Sequence, residues 1–589
     1  MKSQEIITPP ILNFLEAVEE EANRKEKYTH EIFKGETSQV AGQIALWYEK
    51  VRTAVQYKEE HLLRRTAVYR ILNRLVIIEQ RRKEREIVYA LFTELGLAGY
   101  INKNESHDSN FLRIEEILAK YLIAFKYISQ YKDNPTQTIR TRRRLLNMAA
   151  EEIENTINPQ REKMALIYSV YEIIRPKLKF SLERTPYPIA GSKGKGIEDI
   201  AEEYLGVGSL VEPLTESFGK KKTAKDASFD KEKLLNILTY LAIFRSLRRS
   251  DRTMLRSLLF NVYFPRWIEL KASDEKEIEE IMKNYLKKSD EIDRVAEHSL
   301  VPRILLVLKK YMLCASFLFE AVMENPKEAK DIANQEYIFR EQIREKCNLR
   351  YQRDKKKLRK RIVRGIIYIF MTKMFVALLF EIPYDMLREG VINYKAFMIN
   401  LTVPPILLAV IASSAKHPDQ TNTNEIIKGT NTLVYKSNQE EELIDMNVKD
   451  KESNVAERFL DLFYIITFLG AFTSLVYVLK YFHFNLVAIT IFIIFSGTVS
   501  FFGALIRQSI RDLVITKDRE GFLNLLFDTI LLPFVRFGRL ISVKFARINV
   551  FIFILDFLIE APFKFIIRAF EAWINFLRRK REEIDIQLD

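Results

Sequence analysis

Residues 365–382 read GIIYIFMTKMFVALLFEI, and this stretch decides the fold. Wound as a helix, it is about as long as the hydrocarbon core of a bilayer is thick, with Lys373 as its one central charge. Outward from it, the two flanks differ. Residues 1–364 are amphipathic and heavily charged, while residues 394–414 and 459–507 are apolar runs. The first of these contains Pro404-Pro405. The second is too long for one crossing and reads as two helices joined by a tight turn at 481–485. Two other apolar segments do not qualify. Residues 300–323 carry Arg303, Lys309 and Lys310, and residues 234–244 are too short, so both read as core helices of a water-soluble region.

The sequence thus predicts an all-α protein: a large cytoplasmic helical domain, a polytopic α-helical membrane domain, and C-terminal amphipathic helices. The expected organisation is a helical subdomain over 1–185, a linker region over 186–230, and a second helical subdomain over 231–364 ending in a basic juxtamembrane helix. Four spans follow within 365–506, at about 365–382, 394–414, 459–480 and 485–506, with a cytoplasmic loop at 415–458. Residues 507–589 are read as re-entrant or interfacial amphipathic helices with a basic tail, six crossings being the alternative to four. There Asp556, Glu560, Lys564 and Arg568 recur at i,i+4 spacing opposite an aromatic face. No Gly or Pro interrupts 335–364, which predicts one long helix running into the first span. The N-terminal MKSQEIITPP lacks the pattern of a cleaved signal peptide.

Orientation follows from charge. Arg350, Arg353, Lys355, Lys356, Lys357, Arg359, Lys360, Arg361 and Arg364 precede the first span, and such clusters stay on the cytoplasmic side. The same nine residues are the expected contacts to anionic headgroups, each gaining about 1 kcal/mol near an anionic leaflet. The chain carries a net charge of +14. Residues 365–589 are balanced at 24 basic against 24 acidic, so the whole excess lies in 1–364. More than half of it sits in the juxtamembrane stretch, which removes the case for nucleic acid. The lipid bilayer is therefore the expected partner, together with protein partners of the helical domain and room for a homo-oligomer.

Catalytic motifs are not found. Gly191 to Gly196 is glycine-rich and basic but lacks P-loop spacing. The six histidines and two cysteines have no metal-ligand spacing. No enzyme activity, cofactor or metal is expected. Ionisable groups inside spans are candidates for pairing or for a pathway. They are Lys373 and its candidate partners Glu381, Asp461, Asp528, Asp556 and Glu560. Ser496, Ser500 and Ala504 form a small-residue line expected to pack helices closely. The functional expectation is a membrane-associated interaction or assembly protein. The alternative is an ion or small-solute transporter or channel regulated by its cytoplasmic domain.

Overall fold

The computed structural model describes residues 7–27, 60–78, 83–100, 108–130, 135–181, 226–388, 390, 393–414, 418–435, 444–447, 455–515 and 522–547. It is almost entirely helical and divides into two compact units. One comprises Met1–Lys346 with Ile426–Asp450, the other Cys347–Glu425 with Lys451–Asp589.

The first unit contains α1 (Pro9–Lys27), α2 (Glu60–Leu72), α3 (Glu84–Leu97), α4 (Asp108–Gln130), α5 (Pro135–Ile157) and α6 (Arg161–Ile174). After these come α7 (Asp226–Leu247), α8 (Arg252–Tyr263), α9 (Glu275–Ala296), α10 (Leu300–Val322) and the short α11 (Ala329–Ala333). Apolar residues at three- and four-residue spacing make the core. On α9 the buried stripe is Ile278, Ile281, Met282, Tyr285, Leu286, Ile292 and Val295, with charged residues elsewhere. Both segments set aside as too polar or too short are core helices here: residues 300–322 form α10, and 234–244 lie in the buried part of α7. Fully buried Trp267 meets Tyr121 and Phe260 edge-on, and the Lys120 ammonium lies 4.8 Å above its ring. Asp251 caps α8 by accepting from the backbone N–H groups of Thr253 and Met254.

The later chain also contributes to this unit. The end of α15 (Gln420–Val434) donates through Tyr435 Oη to the Ala333 carbonyl at 2.8 Å, and the Val434 carbonyl accepts from Thr8 N–H. Four residues, β2 (Ile444–Asn447), pair in parallel with β1 (Leu178–Ser181). The stretch expected to be one loop, 415–458, therefore holds a helix and a strand. Strands this short leave no alternating pattern long enough to read from sequence.

α12 (Glu336–Val376) begins in the first unit and ends in the second as one uninterrupted helix. A single π turn (Ala377–Glu381) then leads into α13 (Ile382–Arg388). The second unit continues with α14 (Tyr394–Ser413), α16 (Val455–Tyr481), α17 (Leu486–Arg511) and α18 (Phe522–Arg547). Among the described residues, four helices are long and apolar enough to cross a membrane: the one through Glu336–Arg388, then Tyr394–Ser413, Tyr464–Tyr481 and Leu486–Gln508. Their order matches the four runs read from the sequence, and this is a membrane protein by that criterion. The tight turn falls at 482–485, where His483 takes φ +56° and Asn485 caps α17 by accepting from Ala488 N–H at 2.7 Å.

α14 and α17 are parallel and in step. Ala396 and Ala488 share one cluster at one end, while Ile411 meets Gly503 at the other, fifteen residues along each helix. α18 runs the opposite way along α17. Arg507 pairs with Asp528, and Gly497 meets Gly538 ten residues along both helices. A Cβ on Gly538 would collide with the Gly497 carbonyl, so only glycine permits this approach.

Candidate functional site

The buried face of the first span is an i,i+4 stripe of Ile369, Lys373, Ala377 and Glu381. Lys373 is wholly buried, and its Nζ lies 2.9 Å from Glu381 Oε1. An α-helix would not bring these two together. At 100° per residue, eight steps leave Glu381 about 80° off the Lys373 face. The π turn corrects this, because an i→i+5 turn of roughly 4.4 residues advances only about 82° per residue. Five such steps remove about 90°, and Glu381 returns to the face of Lys373. Beneath the pair, the Phe495 ring of α17 lies 4.8 Å from the ammonium.

Around the pair the three helices pack with apolar side chains. Ile369, Leu408, Ala412, Val499 and Ile506 form the inner cluster, and Ala396, Phe484, Ala488, Ile489 and Phe492 the outer one. Gly365 sits where a Cβ would press on Phe502 and Leu408. Asp528, another candidate partner, pairs instead with Arg507, with Arg507 Nη2 donating to Oδ2 at 2.9 Å. Asp461 lies in α16, but its side chain is outside the described residues, as are Asp556 and Glu560 altogether. Of the six candidate intramembrane groups, the structure thus brings together Lys373 and Glu381.

Between the two apolar clusters lies a polar strip that sequence reasoning passed over. Asn400, one turn on from Ala396, is level with Phe492. Pro404 is level with Ser496, and Leu408 with Ser500. Asn400 is 1% exposed, Ser496 4% and Ser500 0%, and none of their side-chain polar atoms has a hydrogen-bond partner. α14 stays helical through its prolines. Pro404 and Pro405 carry no N–H, so the carbonyls of Asn400 and Leu401 lose the donors four residues on. A buried polar group left unpaired costs about 1–3 kcal/mol, so this concentration is unusual. The available signal was the coincidence of Asn400 with Pro404 at one turn's spacing.

No family model, curated protein or solved structure matches this chain.

The basic stretch forms a collar on α12. Arg353, Lys355, Lys356, Lys357, Arg359, Lys360, Arg361 and Arg364 are exposed, and Arg350 is half-buried beside Asp354 at 3.8 Å. Exposed Val363, Ile367, Tyr368 and Phe370 interleave with its last residue and follow it, as expected where a helix passes from headgroups into hydrocarbon. Below the collar, Asn422 ties three segments. Its amide donates to Tyr351 Oη and to the Leu513 carbonyl, both at 2.9 Å, and its oxygen accepts from Ile515 N–H at 2.7 Å.

A second buried polar cluster lies in the first unit. Arg65 forms a two-pronged pair with Asp251 at 2.7 and 2.5 Å and reaches Glu151 at 3.5 Å, where Arg248 also approaches. Next to them Glu154 is 1% exposed. Burial, and then the neighbouring Glu151 carboxylate, push its pKa up to about 7, against the opposing pull of Arg64, Arg248 and Arg65. Among the described residues no group of three or more His, Cys, Asp or Glu side chains could hold a metal.

Proposed function

We propose that this protein is a membrane-anchored interaction and assembly protein, with its N-terminal helical unit and basic collar on the cytoplasmic face. The observation that carries the reading is the sealing of the deepest charge. Lys373 is engaged by Glu381 and capped by Phe495, so its ammonium is a structural counter-ion and not the wall of a pathway. The remainder of the chain is a large helical body, whose role is to hold partners at the membrane surface. The exposed collar supports the cytoplasmic orientation and contact with anionic headgroups.

The test is flux in liposomes reconstituted with the full chain. No cation or anion flux above protein-free liposomes is expected under imposed gradients. Flux that Lys373→Leu abolishes would overturn the reading and establish the second one, a transporter or channel. The unpaired Asn400 on a proline-containing helix is what favours that second reading. Orientation is tested by protease protection: in sealed vesicles with the cytoplasmic face outward, the first unit should be cleaved.

A further inference from the structure

We propose that the seam between α14 and α17 is a water-binding compartment in the middle of the membrane, lined by Asn400, Ser496, Ser500 and the carbonyls released by Pro404 and Pro405.

Two sets of hydroxyls on the membrane helices differ in how they are satisfied. Thr372, Thr402, Thr490 and Thr498, on the outer faces, all donate to the carbonyl four residues back, at 2.7, 2.7, 2.9 and 2.8 Å. This is how a hydroxyl satisfies itself against lipid. Ser496 and Ser500 stand on the same helix as Thr490 and Thr498, yet neither closes on its own backbone. Their partners must come from the seam that they face. Asn400 faces it too, with donor and acceptor both open.

Charge and hydrogen-bonding capacity together select the ligand. Lys373 and Glu381 lie against α17 at the same depth and sum to zero. A lone cation would meet the Lys373 ammonium, and a lone anion would meet Glu381 and the released carbonyls. The lining offers both donors and acceptors, which calls for a neutral ligand able to give and receive. Water does both, and buried waters typically make about three hydrogen bonds to groups of this kind. Successive levels along the seam are about 6 Å apart, a gap that one water bridges. Apolar clusters flank the strip on both sides along the seam.

The experiment is water-edited solid-state NMR on the full chain in bilayers. Magnetisation from water should reach Ser496 and Ser500 several-fold faster than Thr498, which lies between them in depth on the same helix. Asn400→Leu should slow the transfer to Ser496. Transfer to both serines as slow as to Thr498 would overturn the proposal, whether or not the variant folds. So would a folded Asn400→Leu protein with unchanged transfer.

Discussion

Replacing Lys373 by leucine is expected to destabilise the membrane unit more than replacing Lys373 and Glu381 together. At 2.9 Å the two charges attract by about 6 kcal/mol at an effective dielectric of about 20, against several kcal/mol to strip water from each ion. The pair therefore contributes little net stability, but either member alone is a buried charge with nothing to balance it. Lys373→Leu leaves the Glu381 carboxylate, 4% exposed, among apolar neighbours. Glu381→Leu leaves the ammonium with only the Phe495 ring. Each single change should cost about 3–5 kcal/mol, and the double change should fall between neutral and about 4 kcal/mol stabilising. A double-mutant cycle by steric trapping in bicelles measures this directly, with an expected coupling of at least about 6 kcal/mol. If the double variant loses the sum of the two singles, the pair is not a closed unit and the sealing argument fails.

Other outcomes follow from the same geometry. Gly538→Ala should force α18 away from α17 and lower thermal stability, while Gly470→Ala, with nothing near its added Cβ, should be neutral. Asn422→Ala removes three hydrogen bonds and should cost about 2–4 kcal/mol, seen as faster proteolysis near Leu513. For Glu154, the folded pKa of about 7 lies above the ordinary 4.5, so the folded state holds the proton longer. Its contribution is most favourable below pH 4.5 and is lost as pH rises to 7, by about 3 kcal/mol in all. Glu154→Gln should remove that decline from melting curves recorded across this range. Changing Lys355, Lys356, Lys357, Arg359, Lys360 and Arg361 to glutamine should weaken the orientation bias, read as a rise in protease-protected first unit.

The spans were legible because a run of apolar residues longer than a core helix needs no periodicity to be recognised. The turn at 482–485 was legible because Asn485 follows the polar break at Lys480–His483. Continuity of α12 followed from the absence of Gly and Pro before Gly365. Lys373 stood out by depth, yet its partner could not be chosen among five carboxylates. Ideal helical geometry turns Glu381 away, and only the π turn brings it round. Ser496 and Ser500 read as packing residues because size is visible in a sequence and an unmade hydrogen bond is not. The parallel pairing of residues 178–181 with 444–447 joins segments too far apart, and too short, to announce themselves.

The π turn at Ala377–Glu381 holds about one residue more than the α-helical turn it replaces. Removing one of its exposed residues, Leu378, Leu379 or Phe380, would let the segment relax into a regular α-helix. The carboxylate would then stand seven residues from Lys373, about 20° from its face, and the ion pair would survive. A natural relative one residue shorter between Val376 and Ile382 would therefore preserve the charge pair, and the proper alignment of the two sequences would place its gap inside the bulge.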